Sequence, residues 1–256
     1  MLRWRTATAL VLAPLVLGAI ALGKWAVLVV VFLVAAGAAY ELSRALNPLP
    51  FAAALGAGAL PIALSIPYET TGVLVGALLA LPWALFWLAA KPEARTLKAV
   101  LAVLLMALWV GAPLAHLGLF DRSPYGVILI LIAVVGPWIS DSGAYFAGRL
   151  FGRHLLFPTL SPNKTIEGSV GGLLATVLIV GFISYEFLDF TLAKSAIIGA
   201  GVSVFSQSGD LFESMFKRIL DVKDLGDFLP GHGGILDRVD SLLFTAPAVY
   251  YISLLV

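Results

Sequence analysis

Apolar residues in this chain run in blocks longer than a soluble domain needs, and the polar breaks between them recur along its whole length. A bilayer core about 30 Å thick takes roughly 20 apolar residues at a rise of about 1.5 Å each. Cutting at the polar or Pro/Gly-rich breaks predicts about nine transmembrane helices, over 6–23, 25–46, 51–67, 71–90, 97–119, 124–148, 167–188, 192–216 and 239–256. The third is short and holds Pro61 and Pro67. Proline cannot donate to the helical ladder, so this segment is expected to be kinked or re-entrant. The opening stretch, with Arg3 and Arg5 followed by apolar residues to Gly23 and an Ala19-Ile20-Ala21 sequence, has the make-up of a cleaved signal peptide. Because many apolar blocks follow, it is expected to remain as the first helix. The fold class predicted is all-α, a polytopic integral membrane protein.

Composition strengthens this picture. Of the 256 residues 61% are hydrophobic and 12% charged, against about 25% charged in soluble domains. The formal net charge of +1 provides no basic field for nucleic acid, which is therefore not an expected partner. Cysteine is absent, which excludes disulfides, thiolate metal sites and a cysteine nucleophile. Any metal must be held by oxygen or imidazole.

Positive residues are retained on the cytoplasmic side during insertion. With the N-terminus inside, the cytoplasmic segments hold Arg3, Arg5, Arg44, Lys91, Arg95, Lys98, Arg149, Arg153, Lys164, Lys217, Arg218, Lys223 and Arg238. The external segments keep Lys24, Arg122 and Lys194. This asymmetry predicts a cytoplasmic N-terminus, an odd number of spans and an external C-terminus. Residues 1–120 carry ten charged side chains and residues 121–256 carry twenty-one. The first stretch reads as a transmembrane scaffold and the second as a catalytic region with its site on the cytoplasmic side.

Three polar clusters fall at cytoplasmic ends of predicted spans. In the first, Asp210 and Glu213 stand three apart on one helix face, with Lys217 four further along. A carboxylate near hydrocarbon is costly unless paired, hydrated or metal-bound, so intramembrane acids are candidates for function. A Glu213–Lys217 ion pair at a helix end is the bland alternative. Asp210 has no cation four residues to either side. A hydrophilic loop follows, with Lys217-Arg218, Lys223-Asp224 and Asp227, then Pro230-Gly231-His232-Gly233-Gly234 and Asp237-Arg238-Val239-Asp240. Glycines let the backbone approach a ligand, and exposed N–H groups in such turns attract phosphate. Asp240 also suits a helix N-terminus on electrostatic grounds alone.

The second cluster is Asp141-Ser142-Gly143-Ala144-Tyr145, followed by Gly148 and Arg149. Helix packing through Gly143 and Ala147 explains its small residues, but not an aspartate at that depth. The third is Ser161-Pro162-Asn163-Lys164-Thr165-Ile166-Glu167-Gly168. There Thr165 can cap a helix with Glu167 in its first turn, while Lys164 suits phosphate. No GxxxxGK[ST] sequence occurs, so this is not a P-loop. Acids with cations and glycines, lacking a Ser/His/Asp or Cys/His arrangement, point to phosphoryl or nucleotidyl transfer more than to ester hydrolysis. Oxygen ligands imply Mg²⁺ or a similar hard cation.

The run Ser214-Met215-Phe216-Lys217-Arg218, Lys223-Asp224, Gly226, Leu229-Pro230, His232-Gly233-Gly234 and Asp237-Arg238-Val239-Asp240 resembles the signature of CDP-diacylglycerol synthases, or phosphatidate cytidylyltransferases, without departure. The Asp141–Tyr145 and Lys164–Gly168 segments are similar to upstream motifs of that family, so the resemblance covers roughly 137–241. It implies transfer of CMP from CTP to phosphatidic acid, giving CDP-diacylglycerol and pyrophosphate for phospholipid biosynthesis. It also implies a homodimer among membrane lipids, with the bacterial inner membrane as the expected location. The substrate phosphate is then the nucleophile, and the protein's tasks are positioning and charge neutralisation.

On this reading Asp210 and Asp237 hold a divalent metal, Mg²⁺, on the CTP phosphates, and Asp141 and Glu213 complete or support a second cation position. Lys164, Lys217, Arg218, Lys223 and Arg238 share the triphosphate and the lipid phosphate. His232, Gly233 and Gly234 shape the nucleotide pocket, and Glu167 adds to substrate binding. Asp141, Asp210, Asp237, Lys164, Lys217 and Arg238 are the expected catalytic set. Two rivals remain: a CTP-dependent polyprenol or phytol kinase, which shares parts of the C-terminal pattern but not its complete run, and a cation transporter, whose acids should be spread through the membrane depth.

Overall fold

A computed structural model of the chain describes residues 2–46, 49–88, 94–222, 224–226 and 233–255. The described chain is helical apart from one small hairpin. In order it runs α1 (Leu2–Leu22), α2 (Lys24–Ala45), α3 (Phe51–Leu88), α4 (Ala94–Leu105), a π-helical stretch (Met106–Gly111), α5 (Ala112–Leu119), a 3₁₀ turn (Phe120–Arg122) and α6 (Gly126–Phe151). Then come β1 (Leu155–Phe157), β2 (Ser161–Thr165), α7 (Ile166–Phe187), α8 (Leu192–Ile219) and α9 (Leu236–Leu255). Among the described residues, five segments are long and apolar enough to cross a membrane: Lys24–Ala45, Phe51–Trp87, Leu97–Arg122, Gly126–Phe151 and Ile166–Phe187. Large apolar side chains such as Leu78, Phe86 and Leu178 point outward, each at least 70% exposed. Such an exterior suits lipid and would be costly in water. This is an all-α, polytopic membrane protein.

The chain divides into two compact units. The first comprises Met1–Arg122 with Asp224–Val239. Its α3 is two antiparallel arms, and the break falls at Glu69, whose φ of 57° reverses the chain between the spans expected at 51–67 and 71–90. Glycines let the arms touch. A Cβ on Gly76 would lie 2.5 Å from the Pro61 Cα, and one on Gly72 would strike the Leu64 carbonyl. Trp83 Nε1 closes the hairpin by donating to the Ala53 carbonyl at 3.0 Å. Near the turn Glu69 pairs with Arg122, and Lys24 with Asp121 at 3.6 Å.

The second unit comprises Ser123–Lys223 with Asp240–Val256. Helices α6, α7 and α8 pack on one another through small residues. A Cβ on Gly143 would lie 2.5 Å from Ala175 Cβ, one on Gly171 would strike Ala147, and one on Gly199 would sit 2.8 Å from the Thr176 carbonyl. Where hydrocarbon surrounds the helices, apolar burial drives little association, so such close backbone contact supplies the packing energy. The packing role expected for Gly143 and Ala147 is what the structure has. At the unit's other end the Tyr125 hydroxyl donates to Asp189 at 2.6 Å. That hydrogen bond, with the charge of the carboxylate, holds the phenol above the ordinary tyrosine pKa.

Candidate functional site

Successive helices of the second unit alternate in direction, so the C-terminal end of α6, the start of α7, the C-terminal half of α8 and the start of the α9 portion meet at one end. Asp141 comes from α6, Lys164 from β2, Asp210, Glu213 and Lys217 from α8, and Asp240 from α9. One glycine makes the last approach possible. A Cβ on Gly209 would lie 2.5 Å from the Asp240 carbonyl oxygen and 3.0 Å from Ser241 Cα. With the backbones of α8 and α9 touching there, the adjacent Asp210 and the Asp240 carboxylate come within each other's field.

Charge is matched locally. Lys164 Nζ ion-pairs with Asp210 Oδ2, and Ser214 Oγ donates to Asp210 Oδ1 at 3.4 Å. Glu213, 1% exposed, accepts from Lys217 Nζ at 3.1 Å and lies close to Asp240. Asp141 is exposed and within electrostatic reach of Asp210, Lys164 and Asp240. Buried acids need partners of this kind, since an uncompensated charge in apolar surroundings costs several kcal/mol, by a rough reckoning. The i, i+4 pairing of Glu213 with Lys217 is thus present, and so is an acid surplus: four carboxyl groups face two ammonium groups.

Among the described residues no three or more His, Asp or Glu side chains stand arranged as a ready cation site. Asp210 and Glu213 rest on lysines. The donor set nevertheless fits a hard cation, being all oxygen, acid-rich and drawn from three helices at one bundle end.

The hairpin β1–β2 delivers Lys164, and the next residue starts α7. Thr165 is the N-cap, its hydroxyl accepting from the Gly168 N–H at 3.1 Å. Glu167, in the first turn, accepts from the backbone N–H groups of Arg153 and His154 at 3.1 and 3.2 Å and contacts His154 Nδ1 at 2.6 Å. Its carboxylate therefore anchors the turn that leaves α6. Nearby, Ser140 and Ser203 hydroxyls lie 3.1 Å apart, Gln207 donates to Ser203 at 2.9 Å, and Ser169 donates to Gln207. This polar layer ties α6, α7 and α8 together beside Asp210.

The described part of the glycine-rich stretch belongs to the first unit. Gly233 has φ 80°, a left-handed conformation that favours glycine. The Gly234 N–H donates to Asp237 Oδ2 at 2.7 Å, and Arg238 is exposed. The N–H groups of Ile235 and Leu236 donate to Glu41 Oε1 and Oε2 at 2.7 and 3.0 Å. Arg218 is exposed in the last turn of α8. Lys91, Lys223, Asp227, Pro230, Gly231 and His232 lie outside the described residues.

Two acids escaped the sequence-based site assignment. Asp240 was explicable as a helix-start acid, and its approach to Glu213 depends on packing at Gly209. Glu41 lies in a predicted span of the apolar first half. The signal for it was the one that singled out Asp210, a carboxylate inside an apolar block.

The model of the cytidylyltransferase family matches residues 3–256. Similar proteins include one from Staphylococcus saprophyticus, 50% identical over 131 residues, covering 50% of each chain. A Bacillus subtilis protein is 47% identical over 133 residues, covering 52% of this chain and 49% of its own, and a Staphylococcus aureus protein is 47% identical over 130 residues, half of each. All three are named phosphatidate cytidylyltransferase. The match spans about half the length of these curated relatives. With the family model covering nearly every residue, this chain belongs to the cytidylyltransferase family.

Proposed function

We propose that this protein is a phosphatidate cytidylyltransferase, joining CMP from CTP to phosphatidic acid to form CDP-diacylglycerol and pyrophosphate. The observation that carries the reading is the acid-rich bundle end, where Asp141, Asp210, Glu213 and Asp240 gather with Lys164 and Lys217. The relatives' shared name supports it. In the reaction a phosphate oxygen of phosphatidic acid attacks the α-phosphorus of CTP. The bond from that phosphorus to the bridging oxygen breaks, and pyrophosphate leaves with the electron pair. No protein nucleophile is required, which accords with the cluster's chemistry.

Two polyanions repel each other, and neutralising them is the protein's main task. Asp141, Asp210 and Asp240 are the groups that would hold a divalent cation such as Mg²⁺, whose bound charge would offset that of the phosphates. A second cation position at Glu213 belongs to the same reading. Lys164 and Lys217 exchange their carboxylate partners for phosphate oxygens when substrate arrives. Asp237, Arg238, Gly233 and Gly234, together with Lys223 and His232, enter through the signature they form, with Asp237 a further cation ligand and His232 part of the nucleotide pocket. Arg218 and Glu167 complete the substrate-binding set, Glu167 by holding the turn beside Lys164. A cytoplasmic site follows from the Lys/Arg asymmetry. A homodimer in the bacterial plasma membrane is part of the proposal.

The deciding assay uses purified protein, phosphatidic acid, labelled CTP and Mg²⁺. A labelled liponucleotide with release of pyrophosphate is expected. Release of CDP with a phosphorylated lipid alcohol would replace this reading with a kinase, and ion flux into liposomes without CTP would replace it with a transporter.

A further inference from the structure

Glu41 sits in α2, within the apolar first half, yet it is 2% exposed and its carboxylate is aimed at the backbone of the glycine-rich signature. Helix α9 begins at Leu236, so Ile235 occupies the N-cap position. An isoleucine side chain has no oxygen with which to cap. Both oxygens of Glu41 take that role from elsewhere in the sequence, accepting from the Ile235 and Leu236 N–H groups at 2.7 and 3.0 Å. Its negative charge also stands at the positive end of the helix. The residue beside this clamp is Asp237, which accepts from the Gly234 N–H at 2.7 Å.

Two signature glycines fit the same carboxylate. A Cβ on Gly226 would lie 2.6 Å from the Cδ, Cγ and Oε1 of Glu41, and one on Gly234 would lie 2.7 Å from Oε2 and 2.9 Å from Oε1. Gly226 and Gly234, separated in sequence, therefore both lie against Glu41. We infer that Glu41 is the positioning residue of the signature loop, holding the start of α9 so that Asp237 and Arg238 are presented in one geometry. The effect on turnover rests on the transferase reading above; the effect on the loop does not.

The test has one arm for each. Hydrogen–deuterium exchange of the segment 233–243 in the full-length, detergent-solubilised protein should be at least about tenfold faster in Glu41→Ala, with Glu41→Gln intermediate because one amide oxygen can still accept. Gly226→Ala should speed the same exchange in the wild-type background and add little in Glu41→Ala, where the clashing side chain is gone. In the CTP and phosphatidic acid assay, kcat should fall by about tenfold or more in Glu41→Ala while the KM for CTP stays within about threefold. Unchanged exchange at 233–243 in Glu41→Ala, or full additivity of Gly226→Ala with it, would overturn the assignment. If the wild-type protein makes no liponucleotide, the transferase reading fails while the exchange measurements still decide on Glu41.

Discussion

Lys164 and Asp210, 46 residues apart in sequence, are ion-paired at the bundle end of the second unit. The hairpin that precedes α7 thus serves to bring an ammonium to an acid that has no cation within its own helical turns. Removing either member leaves the other poorly compensated and takes charge from the proposed reaction centre. Asp210→Asn is expected to lower kcat by about a hundredfold or more and Lys164→Gln by about tenfold, the scale of losing one electrostatic contact to a transition state. The double variant should be no worse than Asp210→Asn, since the two act together. Steady-state rates of liponucleotide formation check all three.

Asp237 gives a sharper contrast. Its carboxylate accepts from the Gly234 N–H, a bond that the side-chain oxygen of asparagine can also accept. Asp237→Asn should keep the turn and membrane insertion while losing about a hundredfold or more in turnover. Asp237→Ala should lose the turn as well, seen as faster exchange at Gly234. Wild-type activity in Asp237→Asn would remove this residue from the site.

Asp240 lies beside Glu213 and in the field of Asp210. Asn at 240 has nearly the same shape as Asp but withdraws one potential negative charge from the cluster. Asp240→Asn should therefore remain folded and require several-fold more Mg²⁺ for half-maximal activity, because a neutral amide oxygen replaces a charged one. A chelator should abolish activity in the wild-type protein, and added Mg²⁺ should restore it. An unchanged Mg²⁺ requirement in Asp240→Asn would separate Asp240 from the cation.

Gly209 is the contact on which α8 and the α9 portion meet. Gly209→Ala places a methyl group against backbone that cannot swing aside, a kind of overpacking that costs about 1–3 kcal/mol. Thermal unfolding in detergent should show that loss. Activity should fall further than stability alone explains, because Asp210 and Asp240 move apart.

Much of the fold was legible because hydrocarbon imposes a length on its helices. The apolar blocks are as long as a bilayer requires, and the all-α architecture follows from the need to satisfy every backbone group within the segment. The break in α3 at Glu69 falls in the gap between the spans expected at 51–67 and 71–90, and the fit of Gly72 and Gly76 against the opposite arm folds the two arms together. In the site, Asp141, Lys164, Asp210, Glu213 and Lys217 stood out as charges among apolar residues, and the structure brings these five together. Glu167 also stood out, but its carboxylate is engaged with the Arg153–His154 turn.

The amino-acid sequence by itself determined that this is a helical membrane protein with acids and cations concentrated in particular blocks, since hydropathy and helical spacing act over a few turns and are visible locally. Beyond the Glu213–Lys217 pair within one helix, only the tertiary structure decided which charge meets which. Glu41 and Ile235 stand 194 positions apart, and Asp240 reaches Glu213 only because a glycine lets two backbones touch. Contacts of that kind depend on how helices pack, and packing is set by shape at a few small residues whose partners no local pattern names.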